Sequence, residues 1–171
     1  MPTLHLVRHT AVELVDGVPP RDWPVTEEGR RAADRLARNP RWRELTLVAT
    51  SPEEKALQTA TPIARSAQLA PRLDEDLREV ERRIRVLPRD EYVGRVSRYL
   101  AGEEVDGFEP QEHARRRFDR GLARAAALAA GPAAIVTHGL VLALHLELTP
   151  EEWEAIPLPG VVRVIEWEAR G

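Results

Sequence analysis

The chain has 171 residues, a formal net charge of -3 and no cysteine. That length suits one domain, spanning 1–171, with a core large enough to need no staples. The lack of cysteine excludes a disulfide framework, a thiolate nucleophile and a cysteine metal site, and fits a cytoplasmic protein. Slight acidity argues against a general nucleic-acid binder. The longest weakly polar stretch, Ala125 to Val136, is interrupted by Gly131-Pro132 and is too short to cross a bilayer, and the N-terminus has no secretory-signal pattern. The basic residues are lopsided: 24 arginines stand against one lysine, Lys55.

Thr3 to Arg8 reads as a first strand, apolar on both faces as a buried parallel strand would be, ending at Arg8-His9. Ala11 to Val25 has no helical period, carries Asp16-Gly17 and Pro19-Pro20, and reads as a loop returning over the sheet edge. Thr26 is expected to cap a helix to about Arg38, stopped by Asn39-Pro40. Leu45 to Ala49 reads as a second strand. In Ser51-Pro52-Glu53-Glu54, Ser51 is the expected N-cap, Pro52 the first helical residue and Glu54 the capping-box carboxylate of a helix to about Ser66, with Lys55 in its first turn.

Leu69 to Leu77 is expected to be extended or irregular, and Asp74 to Arg85 is a dense charge run. Helices follow at Arg89 to Leu100 and Gln111 to Ala130, separated by a loop from Gly102 to Pro110. Ala133 to Thr137 reads as a third buried strand ending at His138-Gly139, and Leu140 to Leu148 as an apolar helix. Thr149-Pro150-Glu151-Glu152 repeats the capping grammar of Ser51 for a short helix through Trp153, and Val161 to Trp167 is a last strand. Alternating strands and helices predict an α/β fold with a mostly parallel sheet covered on both faces.

In a parallel sheet the carboxyl ends of the strands share one edge, so Arg8, His9, the Ser51 helix with Lys55, and His138-Gly139 are expected to converge. Two imidazoles, a guanidinium, an ammonium and a helix N-terminus make an anion site, and phosphate is its natural occupant. The fitting chemistry is phosphoryl transfer to a neutral imidazole, with a carboxylic acid protonating the leaving alkoxide and then activating water. Glu79 and Glu81 are the candidate acids.

These residues resemble the histidine phosphatases, the phosphoglycerate-mutase-like superfamily. Leu6-Val7-Arg8-His9-Thr10 is similar to the family's Leu-x-Arg-His-Gly signature, and Trp23 to Gly29 to its Pro-Leu-Thr-x-x-Gly helix entry. Ser51 to Ala60 resembles its Ser-x-x-x-Arg-Ala-x-x-Thr-Ala segment, and Leu77-Arg78-Glu79 the segment carrying the proton donor. Gly107-Phe108-Glu109 is a weaker match to Gly-Glu-Ser, and Val136 to Gly139 matches the second-histidine motif.

The resemblance implies a three-layer α/β/α fold with His9 as phosphorylated nucleophile and Glu79 as general acid and base. Arg8 and His138 would be phosphate ligands, and Thr10, Lys55 and Gly139 would share the phosphate site. It also implies a small phosphate ester as partner, with no metal and no organic cofactor. The short chain resembles the phosphatase branch, and a phosphoglycerate-mutase-type transferase is the alternative.

Two positions depart from the family pattern. Thr10 stands at the usual glycine, where its hydroxyl is placed to donate to a phosphate oxygen. Lys55 replaces the second phosphate-binding arginine, exchanging a flat two-pronged fork for a point charge. That exchange is compatible with tolerated loss, a different substrate, or a weakly active or non-catalytic phospho-ligand binder. Val80-Glu81-Arg82-Arg83 also lacks the glycines and aromatic usual beyond the proton donor. Elsewhere, His5 is expected to be a hydrogen-bonded core histidine, His113 and His145 structural, and Arg115-Arg116-Arg117 a solvated helix face with one member paired to a carboxylate.

Overall fold

Five strands and six α-helices build the computed structural model, which describes residues 1–168; the last three residues of the expected 1–171 domain lie outside the described residues. In chain order they are β1 (Thr3–Arg8), α1 (Glu27–Ala37), β2 (Leu47–Thr50), α2 (Glu54–Ser66), β3 (Arg72–Leu73), α3 (Arg89–Leu100), α4 (Gln111–Leu128), β4 (Ala133–Thr137), α5 (Gly139–His145), α6 (Pro150–Glu154) and β5 (Gly160–Glu166). The sheet order is β3-β2-β4-β1-β5. β1, β4, β2 and β3 run parallel, while β5 pairs antiparallel to β1 with a register shift between Leu6 and Val7. The α/β, mostly parallel architecture is therefore the one the strand and helix pattern predicts.

Alternation along the central strands divides the core into two layers. Leu4, Leu6, Ala133 and Ile135 face one side with Tyr99, Phe118, Leu122 and Leu142. Val7, Val48, Ala134 and Val136 face the other, against Trp42, Ala56, Ala60 and Ile63 of the α1–α2 side. Each fully buried large side chain contributes about 1.5–3 kcal/mol, so the sheet is held from both faces.

Several expected boundaries move for local reasons. β2 begins at Leu47, because a short 3-10 turn over 40–44 still holds Leu45, whose N–H donates to Trp42 O. α5 stops at His145, where Glu147 takes a left-handed φ of 55° and the Leu148 N–H returns to Ala143 O. His5 is half-buried edge-on to Trp42, and its Nδ1 is buried without a hydrogen-bond partner, so it packs without the expected hydrogen bond. Thr26 caps α1 as expected, accepting from Gly29 N.

Ser51 does not cap α2, contrary to the expected reading. The helix starts at Glu54 with Glu53 in the N-cap position, and no side chain closes it. Lys55 nevertheless stays in the first turn. The reason lies in what Ser51 and Glu53 bond instead, which belongs to the site.

Candidate active site

β1 and β4 are neighbours in register, so Arg8 lies beside Thr137 and the segments after them, His9 and His138, emerge together. The His9 N–H donates to Thr137 O at 2.9 Å, tying the two strand ends. The His9 and His138 rings lie 5.0 Å apart, both buried. His9 Nδ1 sits 2.6 Å from the carbonyl oxygen of Thr10. A carbonyl only accepts, so Nδ1 carries the ring hydrogen and Nε2 keeps its lone pair. Burial first, then His138, Lys55 and Arg8, hold the His9 pKa well below its ordinary 6.5 despite the bond to Thr10 O. The ring is thus neutral near pH 7.

His138 is fixed differently. Ser51 Oγ lies 2.8 Å from its Nε2 and itself accepts the Glu53 N–H at 3.2 Å, so the hydroxyl hydrogen is free to donate to the ring. The His138 hydrogen then falls on Nδ1, which is buried with no partner among the described residues. Burial, followed by Lys55, Arg82 and Arg117, keeps this imidazole neutral as well.

Lys55 is at the site, but not as the free clamp expected. Its ammonium is 2.9 Å from Glu53 Oε2, with the two side chains only 3% and 6% exposed, and it also donates to Pro20 O. Glu53 Oε1 accepts the Glu79 N–H at 3.0 Å. Burial alone would raise the Glu53 carboxyl; the Lys55 ammonium and that N–H outweigh it and hold it ionised. The charge of Lys55 is therefore largely answered from within the protein.

Thr10 also departs from expectation: its hydroxyl donates to Gly29 O at 2.6 Å and its N–H to Thr59 Oγ1 at 2.9 Å, locking the end of β1 onto α1 and α2. The hydroxyl hydrogen expected for a phosphate oxygen is already engaged. Gly139 lies beneath Arg8. A Cβ there would meet Arg8 Nε, Cζ and Nη2 at 2.9–3.1 Å, so the missing side chain is what lets the guanidinium lie flat. Among the described residues Arg8 makes one hydrogen bond, from Nη1 to Ile156 O at 3.3 Å, and its Nε is buried without a partner.

Glu79 is buried against the start of α5. Its Oε1 accepts from Val80 N and Val141 N, both at 2.8 Å, and Oε2 from Leu140 N at 3.1 Å. A carboxylate offers about four lone-pair sites, so one remains on Oε2. Glu81, the other candidate, is exposed and paired with Arg83.

Two adjoining clefts share Pro20, Glu79, Arg82 and Ile84. One, of about 410 Å³, holds Arg8, His9, Lys55 and Tyr92 with Val12, Leu14, Trp23 and Leu158 on its walls; the other, of about 490 Å³, holds Glu53 and Glu81. Among the described residues no group of three or more His, Asp or Glu side chains is placed to hold a metal ion, and no helix is long and apolar enough to cross a membrane.

Sequence reasoning missed Glu53, whose only signal was its place two residues before the sole lysine. Of Arg115-Arg116-Arg117, expected as a solvated face with one member paired to a carboxylate, Arg117 is that member, but it is not solvated. Arg117 is buried: it pairs with Glu109 at 2.7 Å and donates to the carbonyls of Asp76, Arg78 and Glu79 at 2.7–3.1 Å. One guanidinium thereby fixes the loop that carries Glu79, and the weak match at Gly107-Phe108-Glu109 supplies its counter-ion.

A family model described as the histidine phosphatase superfamily (branch 1) matches residues 4–170. This chain belongs to that superfamily. Solved structures of similar fold include YhfR of Bacillus stearothermophilus, 24% identical over 99% of this chain and 93% of that one, with a TM-score of 0.74. A mycobacterial glucosyl-3-phosphoglycerate phosphatase is 21% identical over 92% and 85% of the two chains, with a TM-score of 0.72. A phosphoserine phosphatase mutant from Entamoeba histolytica, in complex with phosphoserine, is 18% identical over 96% and 89%, with a TM-score of 0.67. Comparison with curated proteins gives no significant sequence match. The phosphoglycerate-mutase-like fold is common to this chain and these structures.

Proposed function

We propose that this histidine phosphatase hydrolyses small phosphate monoesters through a phosphohistidine at His9, as a histidine acid-phosphatase-type enzyme. The observation that carries the reading is the hydrogen bond from His9 Nδ1 to Thr10 O, which leaves Nε2 as an unprotonated nucleophile at the floor of the cleft. Nε2 attacks phosphorus and the ester P–O bond breaks, with the leaving alkoxide taking a proton from Oε2 of Glu79. Water then attacks the phosphohistidine and returns a proton to Glu79, releasing phosphate and restoring the imidazole. Arg8 and His138 Nδ1 supply hydrogens for the phosphoryl oxygens, and Gly139 leaves Arg8 room to do so. The phosphatase and phosphoserine-bound structures of the same fold lend further support.

The test is a panel of phosphomonoesters, including an aryl phosphate, run with mass-spectrometric trapping of the quenched enzyme. Phosphate release with a phosphoryl group on His9, both lost in His9→Ala, is the expected result. Transfer between hydroxyls without net phosphate release would establish a mutase, and binding without turnover a phospho-ligand binder. Hydrolysis retained by His9→Ala would overturn the nucleophile.

A further inference from the structure

A cation that this mechanism does not use stands in the same cleft. Arg82 lines it together with Arg8, His9 and Glu79. Among the described residues its one hydrogen bond runs from Nη1 to the Tyr92 hydroxyl, with the guanidinium over the Tyr92 ring at 5.4 Å from the centroid. Its Nε is buried without a partner, and no carboxylate among the described residues lies within ion-pair distance. Its charge is nevertheless felt by Arg8 and by His138. Two under-bonded guanidinia in one cleft repel each other; the Glu79 carboxylate, felt by both, offsets part of that repulsion, and their remaining N–H donors are open to a further anion.

The backbone around Arg82 is held for this task. Arg82 bridges antiparallel to Phe108. Arg83 N donates to Gly107 O at 2.7 Å and Glu109 N to Glu81 O at 2.8 Å, so residues 81–83 are strapped to 107–109. Arg117 holds Glu109 in turn. The segment that lacks the glycines and aromatic expected after Glu79 is thus a fixed support for one guanidinium. At the same time Lys55, at the position of the second arginine in the family pattern, is bound to Glu53 and Pro20 O.

We propose that Arg82 is the second guanidinium of the phosphoryl site, gripping the anion opposite Arg8 in the place that Lys55 does not fill. The assignment rests on the phosphatase reading for its substrate, but its first consequence is binding of a tetrahedral oxyanion, measurable without turnover.

Inorganic phosphate and vanadate are the probes, titrated calorimetrically into the full chain, beside steady-state hydrolysis of an aryl phosphate. Arg82→Gln is expected to weaken phosphate binding about ten- to a hundredfold, the scale of one charge-assisted contact, with a parallel rise in KM. Arg83→Gln, which removes a neighbouring exposed guanidinium paired with Glu81 and outside the His9 cleft, is expected to change phosphate affinity less than about threefold. Where Arg82→Gln melts early, Arg82→Lys is the readout: it keeps the charge but not the fork, and is expected to bind phosphate several-fold more weakly. Unchanged affinity in the folded Arg82 variant, or an equal loss in Arg83→Gln, overturns the assignment. If the unaltered chain binds phosphate without turnover and Arg82→Gln loses that binding, the hydrolase reading falls and this assignment stands. If it turns over and the Arg82 variant binds normally, the reverse holds.

Discussion

Ser51-Pro52-Glu53-Glu54 and Thr149-Pro150-Glu151-Glu152 have the same local grammar and opposite outcomes. At Thr149 the full capping box forms: Thr149 Oγ1 accepts the Glu152 N–H, and the Glu152 carboxylate accepts the Thr149 N–H. At Ser51 the box never closes and the helix begins at Glu54: the hydroxyl is drawn to His138, the Glu54 carboxylate accepts from Gln58 Nε2, and the Glu53 carboxylate is drawn to Lys55 and the Glu79 backbone. The difference is solvent. Thr149 caps a helix at the surface, where the nearest unsatisfied groups are its own N–H donors. Ser51 is fully buried, and the His138 ring and the Glu79 segment, brought from two other parts of the chain, compete with the helix end for its motif's polar groups.

The comparison can be broken hardest at the third position of each motif. Glu53→Leu strands Lys55 as a buried cation and is expected to cost about 3–5 kcal/mol in urea unfolding. Glu151→Leu, at an exposed position, is expected to leave the melting temperature nearly unchanged. Equal losses would mean that the Glu53–Lys55 pair is not doing what its burial implies.

Acid sharpens the contrast next. His9 and His138 have folded pKa values well below 6.5, so as pH falls through 6.5 the unfolded chain binds protons that the folded one refuses. Stability is therefore full above about pH 7 and is lost on acidification, at up to about 1.4 kcal/mol per pH unit for each histidine. Denaturation between about pH 5 and 8 should show this slope, and His138→Asn should remove part of it. A flat profile would contradict the buried, neutral pair.

The smallest effects come from the hydroxyls. Thr149→Ala is expected to cost about 1 kcal/mol of stability and leave hydrolysis unchanged. Ser51→Ala should cost a similar amount but lower kcat/KM about tenfold, because it frees the His138 ring. Loss of activity in both, or in neither, would erase the functional distinction between the two motifs.

Much of this was legible in the sequence because it rests on periodicity and order. Apolar runs fix β1 and β4, Thr26 fixes α1, and parallel strands bring Arg8, His9 and His138 to one edge whatever the loops do. Glu79 was distinguishable from Glu81 only by resemblance; its three backbone donors come partly from α5, which no local pattern reveals. Thr10, Glu53 and Arg117 were misread or missed for a common reason. Each is decided by its tertiary partner: Gly29 O for the first, Lys55 for the second, Glu109 and three loop carbonyls for the third. A charged residue on a helix reads as solvated until the element covering it is known.

β1 pairs with β4 and β5 and with no other strand. The strand leading to the proposed nucleophile thus lies near residue 1, while both of its partners lie beyond residue 132. Such long-range pairing is slow to close, since the intervening chain must be brought together before any contact rewards it. Helices such as α4 can form early on their own, but His9 gains its fixed carbonyl and its neighbouring ring only when that last closure is made. On the proposed mechanism, catalytic competence is thus expected to arise late in folding and all at once.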